Sequence, residues 1–223
     1  MIRFYFHPSP NPMKVALLLS ELELPFQTIA VDIFKGAQHE PEFRKLNPNG
    51  KVPVIVDEDI TVFDSHAILL HLAEKHGKFL ATDPRTRAAT LSWLELVAAG
   101  LSPFSGQAVH FLHYSPEPVP YAKNRYVKEV ERHYQVLEAR LAESPFLGGN
   151  EYSIADIALW GWARGAGYIF GEAGLASYPK VRKLVEAISA RPAAMRATQI
   201  AANLKLKTEL DEETRRALFP QNL

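Results

Sequence analysis

Two short stretches hold the side chains best placed to do chemistry. The first runs Phe6-His7-Pro8-Ser9-Pro10-Asn11-Pro12-Met13-Lys14-Val15-Ala16. It reads as the end of a strand, a proline-stiffened loop and the start of a helix. Asn11 is a preferred N-cap, and Pro12 suits the first helical position. The loop then points Ser9 and Asn11 at the space above a helix N-terminus, which carries unpaired N–H donors and a partial positive charge. A thiolate or a carboxylate is stabilised there. The second stretch is Asp64-Ser65, which precedes an apolar face of Ile68, Leu69 and Leu72 and so caps another helix. Each stretch also has a plainer reading. Asn11 can be a simple N-cap, Ser9 a solvated loop hydroxyl, and Asp64-Ser65 a cap alone. Capping does not exclude binding, because the same exposed N–H groups serve both.

Composition narrows the chemistry. The chain has 223 residues and no cysteine, so a cysteine nucleophile, a zinc-thiolate site and a disulfide staple are all excluded. Lys plus Arg equals Asp plus Glu at 25 each, which points to neither nucleic acid nor an anionic membrane as partner. An uncharged balance weakly permits self-association. Apolar content of 47% is enough for a proper core. No run of about 18 apolar residues suggests a membrane span. The first residues show no apolar run followed by a small-residue cleavage site, so a cytoplasmic location is expected. His110-x-x-His113 puts two imidazoles near one helical face, but with no matching carboxylate or Cys no metal site is expected.

The elements that position these stretches fall into two textures. Residues 1–80 alternate short strand and helix signals. Ile2-Arg3-Phe4-Tyr5-Phe6 reads as a strand, with Tyr5 packing in the core or on the sheet face. A helix from Pro12 to Glu23 buries Val15, Leu18, Leu19 and Leu22, and Leu24-Pro25 ends it. Phe26 to Val31 is a second strand. A helical turn over 41–45 stops at Asn47-Pro48-Asn49-Gly50. Val54-Ile55-Val56 and Ile60-Thr61-Val62-Phe63 flank Asp57-Glu58-Asp59 as an antiparallel hairpin. The order is β-α-β-α-β-β-α. Beyond a linker at 82–86 the signals are helical, over roughly 86–112, 121–143, 154–170, 179–190 and 192–203. Ser153 and Asp156 match a capping box. The charged tail 208–223 reads as a last helix or a flexible end.

With these residues in place, the chain resembles the cytosolic glutathione transferases over nearly its whole length. Lys51-Val52-Pro53 looks like that family's strand entry with a cis proline. Asp64-Ser65-His66-Ala67-Ile68 looks like its acidic-Ser-x-Ala-Ile glutathione motif, and Ser153-Ile154-Ala155-Asp156-Ile157-Ala158 like its capping box. Within the family the chain is similar to the bacterial Nu type, described as disulfide-bond reductases. Ser9-Pro10-Asn11, Lys35-Gly36-Ala37-Gln38, Asn47 through Pro53, Gly106 through Phe111 and Asn124-Arg125-Tyr126 carry that likeness. Such relatives commonly have Thr where this chain has Ser9; the hydroxyl is kept.

The resemblance implies an α/β thioredoxin-like domain over residues 1–81, an all-helical domain over 86–207 and a tail from 208. It also implies roles. Asp64 and Ser65 would take the γ-glutamyl end of glutathione. Val52, before Pro53, would offer its backbone to the cysteinyl unit as a strand edge does. Gln38 and Lys51, ahead of His39, would reach the glycyl end. Asn11 and Ser9 would favour the thiolate, whose free pKa is about 8.5. Arg132, on the second long helix, would project toward glutathione; a salt bridge to Glu129 is its plainer reading. Phe104, Phe111, Tyr114, Trp162 and Tyr168 would supply an apolar co-substrate pocket, although aromatics on amphipathic helices are more often core.

Two functions remain open on this reading. One is a glutathione-dependent enzyme, either a detoxifying transferase whose thiolate attacks an electrophile or a reductase whose thiolate attacks a disulfide. The other is a non-catalytic glutathione-binding or interaction module. Glutathione is expected as co-substrate, with no metal. A two-fold homodimer is expected, with each N-terminal domain resting on the partner's helical domain.

Overall fold

The computed structural model describes residues 1–222. The chain forms two compact units. One holds residues 1–72 and the chain from 193 onward; the other holds 73–192.

The first unit is built on a four-stranded sheet of order β2-β1-β3-β4, with β1 at Ile2–Phe6, β2 at Phe26–Ala30, β3 at Val54–Asp57 and β4 at Ile60–Phe63. β1 runs parallel to β2, Phe4 opposite Thr28. It runs antiparallel to β3, Phe4 opposite Ile55, and β3 pairs antiparallel with β4. Helix α1 (Pro10–Glu21) connects the parallel pair, as a parallel crossover requires. Two 3₁₀ turns at Ile33–Lys35 and Ala37–His39 and helix α2 (Pro41–Leu46) lead to the hairpin, and α3 (Ser65–His76) follows it. This is the thioredoxin-like order expected. Alternation along β1 buries Ile2, Phe4 and Phe6. Tyr5 faces the other way and meets Phe43 of α2 edge-on at 5.9 Å. Val15, Leu18, Leu19, Ile68, Leu69 and Leu72 are fully enclosed as expected, but Leu22 lies past the helix as its C-cap and α1 also encloses Met13, Ala16 and Leu17, so it is not buried on one face alone.

The start of α1 departs from expectation. Pro10 is the first helical residue and Ser9 the N-cap, so Asn11 lies inside the opening turn and is not the cap. Prolines at 10 and 12 both suit that turn, having no N–H to lose there, so propensity alone does not choose between the two registers. The Met13 N–H donating to the Ser9 carbonyl at 3.2 Å sets it.

The second unit is helical, as expected. Asp83, placed in the linker by sequence, caps α4 (Pro84–Leu96) by accepting the Thr86 N–H at 2.9 Å. A π-helical turn at Val97–Leu101 carries the chain into α5 (Ser102–Val109), and another follows at His110–Tyr114. Then come α6 (Pro120–Glu143), α7 (Ile154–Ala163), the short α8 (Gly167–Phe170) and α9 (Pro179–Ser189). α7 is the core helix. Its buried Asp156 accepts the N–H groups of Leu147 at 2.8 Å and Ser153 at 2.9 Å, forming the capping box and tying down the preceding loop. Burial pushes its carboxyl up to about 6, against the pull of those hydrogen bonds.

The chain from 193 returns to the sheet unit, which the sequence-based boundaries did not foresee. In α10 (Pro192–Ala202), Arg196 donates to the Ser20 carbonyl at 2.7 Å, at the end of α1. The Lys207 N–H donates to Asp32 at 3.0 Å. The tail forms helix α11 (Glu212–Leu218), capped by Asp211, with Thr214 fully enclosed.

Candidate functional site

The first unit has a polar cavity of about 100 Å³ at the ends of its elements. Asn11 from α1, Val52 and Pro53 from the entry to β3, and Asp64 and Ser65 from the start of α3 all line it. An adjoining groove of about 470 Å³ shares Asn11, Lys51 and Val52 with the cavity and adds Ser9, Gln38 and His39. Every first-unit residue expected to touch a ligand therefore lies on one continuous depression.

Local geometry explains each placement. In the opening turn of α1, Pro10 and Pro12 have no N–H, and the Ser9 N–H donates to the His7 carbonyl at 2.7 Å. Asn11, between the two prolines, carries a backbone N–H in that turn, at the positive end of the helix. Asp64 precedes α3 with φ of 72° and accepts the His66 N–H at 2.9 Å. Its carboxylate stays exposed, while Ser65 behind it is only 4% exposed yet lines the cavity. The Val52-Pro53 bond is cis.

The loop beneath Lys51 is held by a residue read from sequence as part of a helix stop and of the Nu-type likeness, but not as a site residue. Asn47 is 2% exposed. Its amide donates to the Lys51 carbonyl at 2.7 Å and its side-chain oxygen accepts the Asn49 N–H at 2.9 Å. Gly50, at φ of 63°, could not carry a side chain without meeting the Gln38 carbonyl at 3.1 Å. Arg44 donates to the Pro48 carbonyl and lines the groove. The signal was present in Asn47-Pro48-Asn49-Gly50, but a turn signature does not say which cavity the turn will border.

Gln38 lines the groove but has a structural partner. Its amide nitrogen donates to the Ala217 carbonyl of α11 at 3.0 Å, and His39 Nε2 lies 2.9 Å from the same oxygen. Gln38 Oε1 is buried with no hydrogen-bond partner among the described residues. Both residues thus hold α11, and Leu218 through Gln221 form the far wall of the groove. Nothing in the sequence tied residue 38 to residue 217.

The remaining candidates belong to the helical unit. Arg132 pairs with Glu129 at 3.0 Å, and Arg125 joins the same carboxylate at 2.6 Å. Hydrogen bonds from the two arginines, Arg125 first, hold the Glu129 carboxyl below its usual range. Phe111 stacks on Tyr126 with ring centroids 5.5 Å apart, and Phe104 lies 5.4 Å from the His133 ring. Burial pushes the Tyr114 hydroxyl up to about 12. Tyr168 is exposed and stacks on His113, whose Nε2 is 2.7 Å from the Tyr168 carbonyl. Trp162, like Phe104, Phe111 and Tyr114, is half-buried rather than core. Among the described residues, no group of three or more His, Cys, Asp or Glu could hold a metal ion.

Comparison with known proteins agrees with this architecture. Residues 8–75 match the glutathione S-transferase N-terminal domain, and residues 101–192 match the C-terminal domain. The disulfide-bond oxidoreductase YfcG of Escherichia coli is 46% identical over 220 residues, covering 96% of this chain and 98% of YfcG. A glutathione transferase family member from Pseudomonas fluorescens, solved with two glutathione bound, superposes with a TM-score of 0.82 at 34% identity, covering 88% of this chain and 91% of that one. The glutathione transferase URE2P6 from Phanerochaete chrysosporium, solved with oxidised glutathione, gives 0.86 at 33% identity, covering 92% and 97%. With both halves of the chain matched, and a relative this similar along its whole length, the chain belongs to the glutathione S-transferase family.

Proposed function

We propose that this protein is a glutathione-dependent enzyme whose main activity is the reduction of small disulfides, with thiol transfer to electrophiles as a secondary activity. The observation that carries this reading is the convergence of Asn11, Val52, Asp64 and Ser65 on one cavity. Glutathione has an ammonium and a carboxylate at one end, a peptide unit and thiol in the middle, and a second carboxylate at the other end. Asp64 suits the ammonium, and Ser65 with the α3 N-terminus suits the γ-glutamyl carboxylate. The Val52 backbone suits the cysteinyl peptide unit, and Lys51 the glycyl carboxylate. Asn11, Ser9 and the α1 N-terminus then face the sulfur.

With no cysteine in the chain, both sulfurs must come from glutathione. The first thiolate attacks one sulfur of the disulfide, forms a mixed disulfide and expels the other sulfur as a thiolate. A second glutathione thiolate attacks the glutathione sulfur of the mixed disulfide. This gives oxidised glutathione and releases the remaining substrate thiolate. Two electrons pass from two glutathiones to one disulfide, and no other reductant is needed. The chain's task is to hold the first sulfur as thiolate and aim it.

We also propose a two-fold homodimer in the cytoplasm. The resemblance and the uncharged balance support it. No helix among the described residues is long and apolar enough to cross a membrane.

A side-by-side assay tests the catalytic reading. Purified protein is given glutathione with a small disulfide, and separately glutathione with an aryl halide. Faster turnover of the disulfide is expected. Conjugation without disulfide reduction would overturn the reductase assignment, and binding of glutathione with neither activity would make the protein a binding module.

A further inference from the structure

The mechanism above leaves one buried ionisable pair unused. Lys14 lies on α1 three residues beyond Asn11, and so near the same helix face. Its side chain is 0% exposed, a place lysine rarely occupies without a reason. Its Nζ is 2.8 Å from Nε2 of His66, which is also buried and is the second residue of α3, directly after Ser65. The pair thus joins the opening turns of the two helices that bring Asn11 and Ser65 to the cavity. One proton is shared across the contact: either an ammonium donates to a neutral imidazole, or the imidazole donates to a neutral amine.

Two opposing effects set the state of Lys14. Burial disfavours its ammonium and brings the pKa down to about 7, while the Asp64 carboxylate favours the charge and acts the other way. His66 and Asp64 are titratable groups that face Lys14. His39, which lines the groove, is the other imidazole near the depression. Charges enclosed by protein are screened little, so an anion arriving in the cavity acts strongly on an enclosed amine.

We infer that the Lys14–His66 pair couples ligand binding to proton uptake: when an anionic ligand settles against Asn11 and Ser65, Lys14 takes up a proton and its charge steadies the ligand from behind the cavity. Lys14 is a positioning residue that acts through its field and through His66. This inference rests on the reading that glutathione occupies the cavity. The direction follows from linkage. Burial lowers the proton affinity of Lys14 enough for a neutral fraction to exist near pH 7, so an anion that raises that affinity draws in a fraction of a proton. Well below pH 6 Lys14 is already charged and the uptake vanishes. Affinity should therefore weaken as pH rises through 7, by at most about tenfold per unit for one proton.

Calorimetry of S-methylglutathione binding tests this, run in two buffers of different ionisation enthalpy. That ligand has no ionisable thiol and its amine is already protonated near pH 7, so protons released by the buffer are taken up by the protein. Uptake is expected to fade by pH 5.5, to grow as pH rises through 7 and to be largest above 7. Lys14→Arg keeps a charge that cannot titrate, so uptake should disappear and the pH dependence of affinity should flatten. Uptake equal to wild type in Lys14→Arg would overturn the inference. If that variant does not fold, His39→Asn decides: persistence of the uptake supports Lys14, and its loss assigns the proton to His39. Failure of wild type to bind either S-methylglutathione or glutathione would overturn the proposed function instead, so the two failures are distinct.

Discussion

Ser65 and Asn11 both stand at helix starts, yet they should fail differently when removed. Ser65 is buried at the cavity wall, where a charge-assisted hydrogen bond to a carboxylate contributes about 1.5–3 kcal/mol. Ser65→Ala is expected to weaken glutathione binding roughly tenfold or more, measured by calorimetry. Wild-type affinity in that variant would remove Ser65 from the site. Asn11 faces the sulfur, where negative charge develops. Losing one such donor costs a few kcal/mol in the transition state, so Asn11→Ala should lower turnover by about a hundredfold while binding changes much less. Steady-state kinetics with a small disulfide reads the difference. Unchanged turnover would leave Asn11 as a helix-start residue with no part in the chemistry. The residue types of both positions were legible in the chain. The register of Asn11 was not, because two prolines fitted the same turn equally well.

At the scale of elements, two contacts in the helical unit make separate predictions. Asp156 satisfies two buried N–H groups, and truncation would leave both without that acceptor. Asp156→Ala is expected to destabilise the protein by about 2–4 kcal/mol in urea unfolding. Its folded pKa, pushed up to about 6, lies above the ordinary value of 3.8. The contribution of Asp156 is then fullest below pH 4 and is lost as pH rises through 6, so the gap between wild type and variant should narrow between pH 4 and 7. Gly100 is the second contact. A side chain there would begin 2.2 Å from His133 Nε2. That ring is 5% exposed and hydrogen-bonded to the Glu129 carbonyl at 2.7 Å, so it has little room to yield. Overpacking of this kind costs about 1–3 kcal/mol, against a helix-propensity gain of about 1 kcal/mol for replacing glycine. Gly100→Ala should therefore be net destabilising, by about 1 kcal/mol in the same measurement. An increase in stability would mean that His133 moves freely. The capping box was readable from Ser153 and Asp156. The fit of Gly100 against His133 was not, since it joins residues far apart in the chain.

For the whole molecule, the expected assembly is a homodimer, and light scattering at micromolar concentration should return the mass of two chains. A single-chain mass would overturn it. Activity should also divide as the missing cysteine dictates. With no protein thiol to form a mixed disulfide, turnover of a small disulfide should rise with glutathione beyond the point at which one glutathione site fills, because a second molecule must arrive. A rate that saturates with the first site would argue against two glutathiones acting in turn.

The sequence by itself determined the order of strands and helices, because alternation at period two and at about 3.6 is a local property that each segment carries alone. It determined the absence of a cysteine nucleophile, and it marked Ser9, Asn11, Val52 and Asp64-Ser65 as the residues to watch. Only the tertiary structure decided which of these share a cavity. It also decided that Gln38 and His39 hold the Ala217 carbonyl of α11, that the chain from 193 belongs with the sheet, and that Lys14 is enclosed against His66. Each of these joins positions far apart in the chain. Such a contact depends on how whole elements pack, and neither residue's neighbours in sequence contain that information.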